Sequence, residues 1–392
     1  MTSTPFTLRW GILATGNIAE LFSRDLLKDP SIRSVSDVRH VISAIGASSS
    51  ATKASAFATK IHDGKPHNVT CHGSYSALVA DENVDIIYIA TPHSHHYQHA
   101  LLALRAGKHV LCEKPMTINA AQTAHLIQVA KEKGLFLMEA VWTRFFPLSR
   151  ELNRLLFKEK VLGKISHVTA DFGLPFSKAD LSHRLLDPKL GGGALLDLGI
   201  YSLTWVMMAC YADPDNQGEK PSVVGQMLKT KETGVDEFTT ISLMFEKSRV
   251  SATASCNMTV RSTEDFCRIQ GELGDITVQW SPFRPKSFTL EILPEKMQVV
   301  GEKKADGEEE LAQYKQQPHE RIVKEVRKFD IPGDGHGMFY EADACARAIR
   351  DGKTEAEICP LGESQLTMEI MDKVREMNGL RYPEELEAVE SY

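Results

Sequence analysis

The order of its apolar segments constrains this chain most. Between residues 8 and 140, compact apolar runs recur at Leu8–Leu13, Val41–Gly46, Asp85–Ala90, Val110–Cys112 and Leu135–Ala140, with a weaker one at Val69–His72. Helical spacing fills the intervals at Asn17–Leu27, Ala51–Lys60, Tyr75–Val79, His96–Ala106 and Ala120–Lys133. Runs without polar alternation suit strands buried on both faces. Strict strand and helix alternation needs right-handed crossovers, so the pattern predicts a parallel, doubly wound α/β sheet. In such a sheet, ligands sit at the carboxyl ends of the strands.

The texture changes after residue 141. A helix pattern (Ser149–Lys158) and a strand (Ile165–Phe172) lead to a Gly-rich apolar helix near 192–211. Successive strand-like runs follow at Val223–Lys229, Phe238–Phe245, Arg249–Cys256, Phe266–Gly271, Asp275–Trp280 and Ser287–Leu293. Strands following strands predict a largely antiparallel sheet. Residues 301–318 read as a charged surface excursion, and helix patterns at Tyr340–Asp351 and Glu363–Asn378 close the chain. The expected division is 1–140 and 141–392.

With 45 Lys plus Arg against 52 Asp plus Glu, the net charge of −7 gives no basic field for nucleic acid. The seven cysteines show no C-x-x-C and no metal-ligand spacing, so they read as free thiols of a reducing compartment, with no metal site. The amino terminus carries neither a secretory nor a mitochondrial pattern, and the expected location is the cytoplasm. The run Ala194–Ala212 approaches a membrane span in length but contains Asp197, which is costly at bilayer depth, and reads as a buried helix.

Five segments carry chemistry. The first joins the opening strand to a helix through Ala14, Thr15, Gly16, Asn17, Ile18 and Ala19. A dinucleotide fingerprint wants Gly-x-Gly-x-x-Gly/Ala there, so that backbone approaches the pyrophosphate and the helix N-terminus donates to it. Here the first glycine is Ala14. At the end of the second strand, where NAD enzymes carry an acid for the ribose hydroxyls, the chain has Gly46-Ala-Ser-Ser-Ser-Ala-Thr-Lys53. Hydroxyls and a lysine attract a 2′-phosphate, which predicts NADP with Ser48 and Lys53 as contacts. Ser48 as a helix N-cap and Lys53 as a surface charge is compatible with the same pattern.

At Ala90-Thr-Pro-His-Ser-His95, Thr91 and Pro92 end a strand at the ligand edge, with His95 expected near the cofactor and His93 and His96 at the surface. At Glu113-Lys-Pro115 a buried strand stops on a cation, which places Lys114 beside the nicotinamide with Glu113 as its neighbouring carboxylate. The Lys114–Pro115 bond is a candidate for the cis form. Within the apolar helix, Asp197 and Tyr201 lie four residues apart and so share one face, where a carboxylate and a phenol need partners.

These segments, with Glu139-Ala-Val-Trp-Thr-Arg-Phe-Phe-Pro147 and Gly335-His-Gly-Met-Phe-Tyr-Glu-Ala342, span almost the whole chain. Together they resemble the glucose-fructose oxidoreductase/inositol dehydrogenase (Gfo/Idh/MocA) superfamily, and within it the NADP-dependent D-xylose 1-dehydrogenase and dimeric dihydrodiol dehydrogenase branches. The resemblance implies an N-terminal Rossmann domain and an α+β C-terminal domain with an open, mainly antiparallel sheet that serves a homodimer. It implies that Lys114 and Tyr201 flank the reacting carbon, with Asp197 alongside and Trp142 and Arg144 near the cofactor. Ala14 and Ser48 depart from the pattern; several relatives carry an arginine at the second position.

The activity so implied is hydride transfer from C1 of a pyranose, D-xylose, to NADP, giving a lactone. Tyr201 then acts as base, Lys114 as the cation that lowers its pKa, and Asp197 as the orienting carboxylate. The alternatives are trans-dihydrodiol oxidation at the same site and a non-catalytic NADP-sensing transcriptional regulator. A sensor has no need of the proton acceptor that Glu113-Lys-Pro115 and Asp197 with Tyr201 retain.

Overall fold

The computed structural model describes residues 4–176, 180–293 and 323–390. Strands β1 (Phe6–Leu13), β2 (Val38–Gly46), β3 (Thr70–His72), β4 (Ile86–Ile89), β5 (His109–Glu113) and β6 (Leu137–Ala140) form one sheet in the order β3-β2-β1-β4-β5-β6. All of its pairings are parallel. Helices α1 (Asn17–Leu26), α2 (Ala51–Ile61), α3 (Tyr75–Val79), α4 (His96–Arg105) and α5 (Ala120–Glu132) form the crossovers. Strand order reverses between β1 and β4, and a crevice opens at their carboxyl ends.

After helix α6 (Pro147–Asn153), a second sheet collects β7 (Ile165–Gly173), β8 (Ser222–Lys229), β9 (Asp236–Phe245), β10 (Val250–Asn257), β11 (Asp265–Gly271), β12 (Gly274–Gln279), β13 (Ser287–Ile292) and β14 (Val323–Lys328). Its order is β14-β13-β12-β11-β7-β10-β9-β8, and only β10 and β7 run parallel. Strand β14 has no counterpart among the sequence expectations: Val-Lys-Glu-Val-Arg-Lys lacks period-2 apolarity because it is a charged sheet edge. The expected excursion at 301–318 lies outside the described residues.

The apolar run Pro188–Tyr211 is helical and, by length and composition, long enough to cross a membrane, but 94% of its most apolar window is buried within the protein. It packs on the second sheet as a core helix. After a 3-10 turn at Pro188–Leu190, the helix proper opens with a π-helical turn, Leu195–Gly199, before α7 (Ile200–Val206). Gly193 sets that start: at φ 123 it lies where side chains are strained, and a Cβ would fall 2.0 Å from Asp236 Oδ1. Asp236 Oδ2 in turn accepts from Leu195 N at 2.7 Å, and burial raises its pKa to about 6.

Helix Phe339–Arg350 returns from the second region to the first sheet. The Arg33 guanidinium grips Asp343 with two 2.8 Å bonds, both side chains almost wholly buried. Trp10 Nε1 donates to His40 Nδ1, so His40 Nε2 carries the proton that it gives to Asp343 Oδ1 at 2.9 Å. Asp25 accepts three backbone N–H groups, from His336, Gly337 and Met338.

Candidate active site

The turn after β1 gives the first wall of the crevice. Ala14 adopts φ 93, a glycine-like conformation, so the missing glycine costs strain but leaves the turn intact. Gly16 is the N-cap of α1 without a side-chain cap, and a Cβ there would meet nothing within 4 Å. An open cradle at an uncapped helix N-terminus suits a pyrophosphate. Residues 46–53, beyond β2, carry no carboxylate, so these residues fit an NADP dinucleotide.

The cavity here measures about 550 Å³. Gly16, Asn17, Ile18, Thr91 and Pro92 line its dinucleotide side; Glu113, Lys114, Trp142, Asp197 and Tyr201 line its depth. Phe172, Leu174, Phe176 and Phe283 add an aromatic and apolar wall. Lys114 comes from the end of β5, followed by a cis bond to Pro115. Its Nζ donates to Asp197 O at 2.9 Å and Oδ1 at 3.2 Å, and lies 4.8 Å from the centre of the Tyr201 ring. Trp142 Nε1 donates to Tyr201 Oη at 3.1 Å.

Asp197 has more partners than the sequence suggested. Arg184 bonds it twice, at 3.0 and 3.1 Å, and His93 Nε2 lies 3.5 Å from Oδ1. Burial alone would raise its pKa, but Lys114, His93 and Arg184 override it and hold the carboxyl well below the usual range. Tyr201 goes the other way. Burial, then the charges of Glu113 and Asp197, push the phenol well above its usual value, and the Trp142 bond offsets this only in part. The expectation that Lys114 lowers this pKa is therefore corrected for this state: the ammonium is committed to Asp197 and lies over the ring face, not at the hydroxyl.

Other expectations change too. His93 and His96 are buried, not at the surface. His93 Nδ1 lies 3.2 Å from Gly191 O and Nε2 faces Asp197 Oδ1, and burial lowers its pKa against the pull of that carboxylate. His96 lies between the carbonyls of Thr91 and Pro115; burial drops it to about 3, so it has one proton to donate. His95, expected near the cofactor, is exposed and bonded to Ser94, and it is not among the residues that line the cavity. Arg144, expected there as well, is buried elsewhere against Glu363 at 2.7 Å. The cause is the 3-10 turn Trp142–Phe145: residues two apart in such a turn point to different sides. Ser48 and Lys53 are exposed beyond β2, and Ser50, not Ser48, caps α2.

Comparison with known proteins fits this geometry. Residues 8–141 match the family described as Oxidoreductase family, NAD-binding Rossmann fold, and residues 152–277 match the GFO/IDH/MocA C-terminal domain. The chain belongs to the GFO/IDH/MocA oxidoreductase family. Among relatives, the D-xylose 1-dehydrogenase (NADP(+)) of Hypocrea jecorina is 44% identical, over 98% of this chain and 95% of its own. The human trans-1,2-dihydrobenzene-1,2-diol dehydrogenase is 33% identical, over 96% and 99%. A levoglucosan dehydrogenase solved with NADH and levoglucosan shares the fold at TM-score 0.75 and 18% identity, over 95% and 97%.

Within this family fold, sequence reasoning missed His93 and Arg184. A signal for His93 existed, since it directly follows the strand-ending Pro92, but the inward histidine of three depends on the phase of a short turn. Arg184 lies in a stretch without periodicity, and only the need to neutralise Asp197 points to it.

Proposed function

We propose that this protein oxidises D-xylose at C1 to D-xylonolactone with NADP⁺. One observation carries the reading: Lys114, from the first sheet, and Tyr201, from the core helix of the second region, meet in one cavity, with Asp197 bonded to the Lys114 ammonium. The 44% identity to a D-xylose 1-dehydrogenase supports the substrate. NADP⁺ bound at the Gly16 cradle supplies C4 of its nicotinamide as acceptor of the C1 hydride. Tyr201 Oη takes the proton of the C1 hydroxyl. Lys114 donates to the same oxygen as negative charge builds on it, and Asp197, itself pinned by Arg184, fixes the ammonium in place. In this reading residues 1–140 bind the cofactor and 141–392 bind the substrate and assemble the oligomer.

The aromatic wall of Phe172, Phe176 and Phe283 favours a second reading, trans-dihydrodiol oxidation, because a planar ring packs there as readily as the C–H face of a pyranose. Reduced-cofactor absorbance with NADP⁺ or NAD⁺ against a sugar and dihydrodiol panel tests both. D-xylose turnover with NADP⁺ is expected; turnover of dihydrodiols alone would replace the first reading with the second, and no turnover of either would favour a sensor.

A homodimer through the second sheet fits the exposure of Val224, Leu228 and Met244 on β8 and β9; sedimentation at a monomer mass would exclude it. Seven unpaired cysteines, six of them buried, suit a reducing cytoplasm.

A further inference from the structure

We propose that a second cavity, behind Tyr201, is a binding site for a small anion of sugar size bearing a carboxylate or a phosphate. It measures about 380 Å³ and shares no lining residue with the first. That volume holds a five- or six-carbon molecule and excludes a second dinucleotide.

Its floor is apolar: Trp205, Leu152, Leu156, Met208 and Ile269. Trp205 gives its only polar hydrogen to Pro282 O at 2.9 Å, so the indole offers carbon alone to a ligand. The rim is cationic. Arg144, Arg150 and Lys158 face Glu357 and Glu363, and both acids are already engaged. Arg144 holds Glu363 at 2.7 Å, and Lys353 holds Glu357 at 2.5 Å.

Neither Arg150 nor Lys158 forms an ion pair with a carboxylate among the described residues. Arg150 is exposed, and partial desolvation and the neighbouring Arg347 hold its pKa below the ordinary value against the charge of Asp343. Such a guanidinium gains from any anion that reaches it. The ligand implied has an apolar face for the Trp205 floor and one anionic group for Arg150 and Lys158. Sugar acids and sugar phosphates both meet that description.

The site backs directly onto the catalytic elements. Trp205 follows Tyr201 by one turn of α7, and Arg144 shares its 3-10 turn with Trp142, which bonds Tyr201.

Calorimetry on the full chain with D-xylonate and with D-ribose 5-phosphate tests the proposal without turnover, so it is independent of the reaction proposed above. Saturable binding of one molecule per chain is expected for at least one probe, unchanged when NADPH and D-xylose fill the first cavity. Binding of D-xylonate alone assigns the site to sugar acids, and binding of the phosphate alone to sugar phosphates. Arg150→Ala with Lys158→Ala, both at exposed positions, is expected to weaken binding about tenfold or more. No saturable binding of either probe, displacement by NADPH and D-xylose, or full affinity in the double variant would overturn it.

Discussion

In the proposed reaction two demands oppose each other at Tyr201: the phenol is to accept a proton, while burial and the Glu113 charge keep it protonated. Replacing Tyr201 by Phe is expected to cut turnover about a hundredfold or more and to leave NADPH binding, read by fluorescence titration, in place. The same opposition fixes a pH dependence. A raised phenol pKa means that the phenolate is scarce at neutral pH, so kcat/KM for oxidation climbs as pH rises. Glu113→Gln removes the foremost charge behind that elevation and is expected to move the climb to lower pH. An unmoved profile would pass the proton to another acceptor lining the cavity. At the far end of the cofactor cradle, Ser48→Asp brings a carboxylate to the end of β2 and is expected to raise the KM for NADP⁺ about tenfold or more relative to NAD⁺. Lys114, Asp197 and Tyr201 were legible as residues because charged and phenolic groups stood in apolar runs. Their charge balance was not, since Arg184 reaches Asp197 from thirteen positions away in an unpatterned stretch.

Elements were read more securely than the residues on them. Strands β4, β5 and β6 follow the apolar runs closely, because burial on both faces leaves little room for polar positions, whereas β2 and β3 keep exposed polar ones. Strand β14 escaped because an edge strand keeps its charges, and the π-helical turn at Leu195–Gly199 escaped because one extra residue in a turn has no periodic signature. That turn stands on Gly193. Gly193→Ala drives a methyl group into Asp236 at a backbone angle that already disfavours it. A loss of about 3 kcal/mol or more is expected in chemical denaturation, where full stability would mean that Asp236 has moved aside.

For the whole molecule, the two sheets were foreseen but not their fastening. Helix Phe339–Arg350 reads as an ordinary amphipathic closing helix, and nothing in its spacing says that Asp343 is to meet Arg33 and His40, some three hundred positions earlier. Asp343→Ala leaves a buried guanidinium unpaired, and a destabilisation of about 3 to 5 kcal/mol is expected, seen as a lowered Tm. This clasp also ties the chain's end to its beginning. With Asp343 held by Arg33 and His40 through desolvated groups, helix Phe339–Arg350 cannot lift from the first sheet without leaving a guanidinium bare inside the protein. A covalent staple between the helix and β2 is therefore expected to leave the catalytic rate untouched.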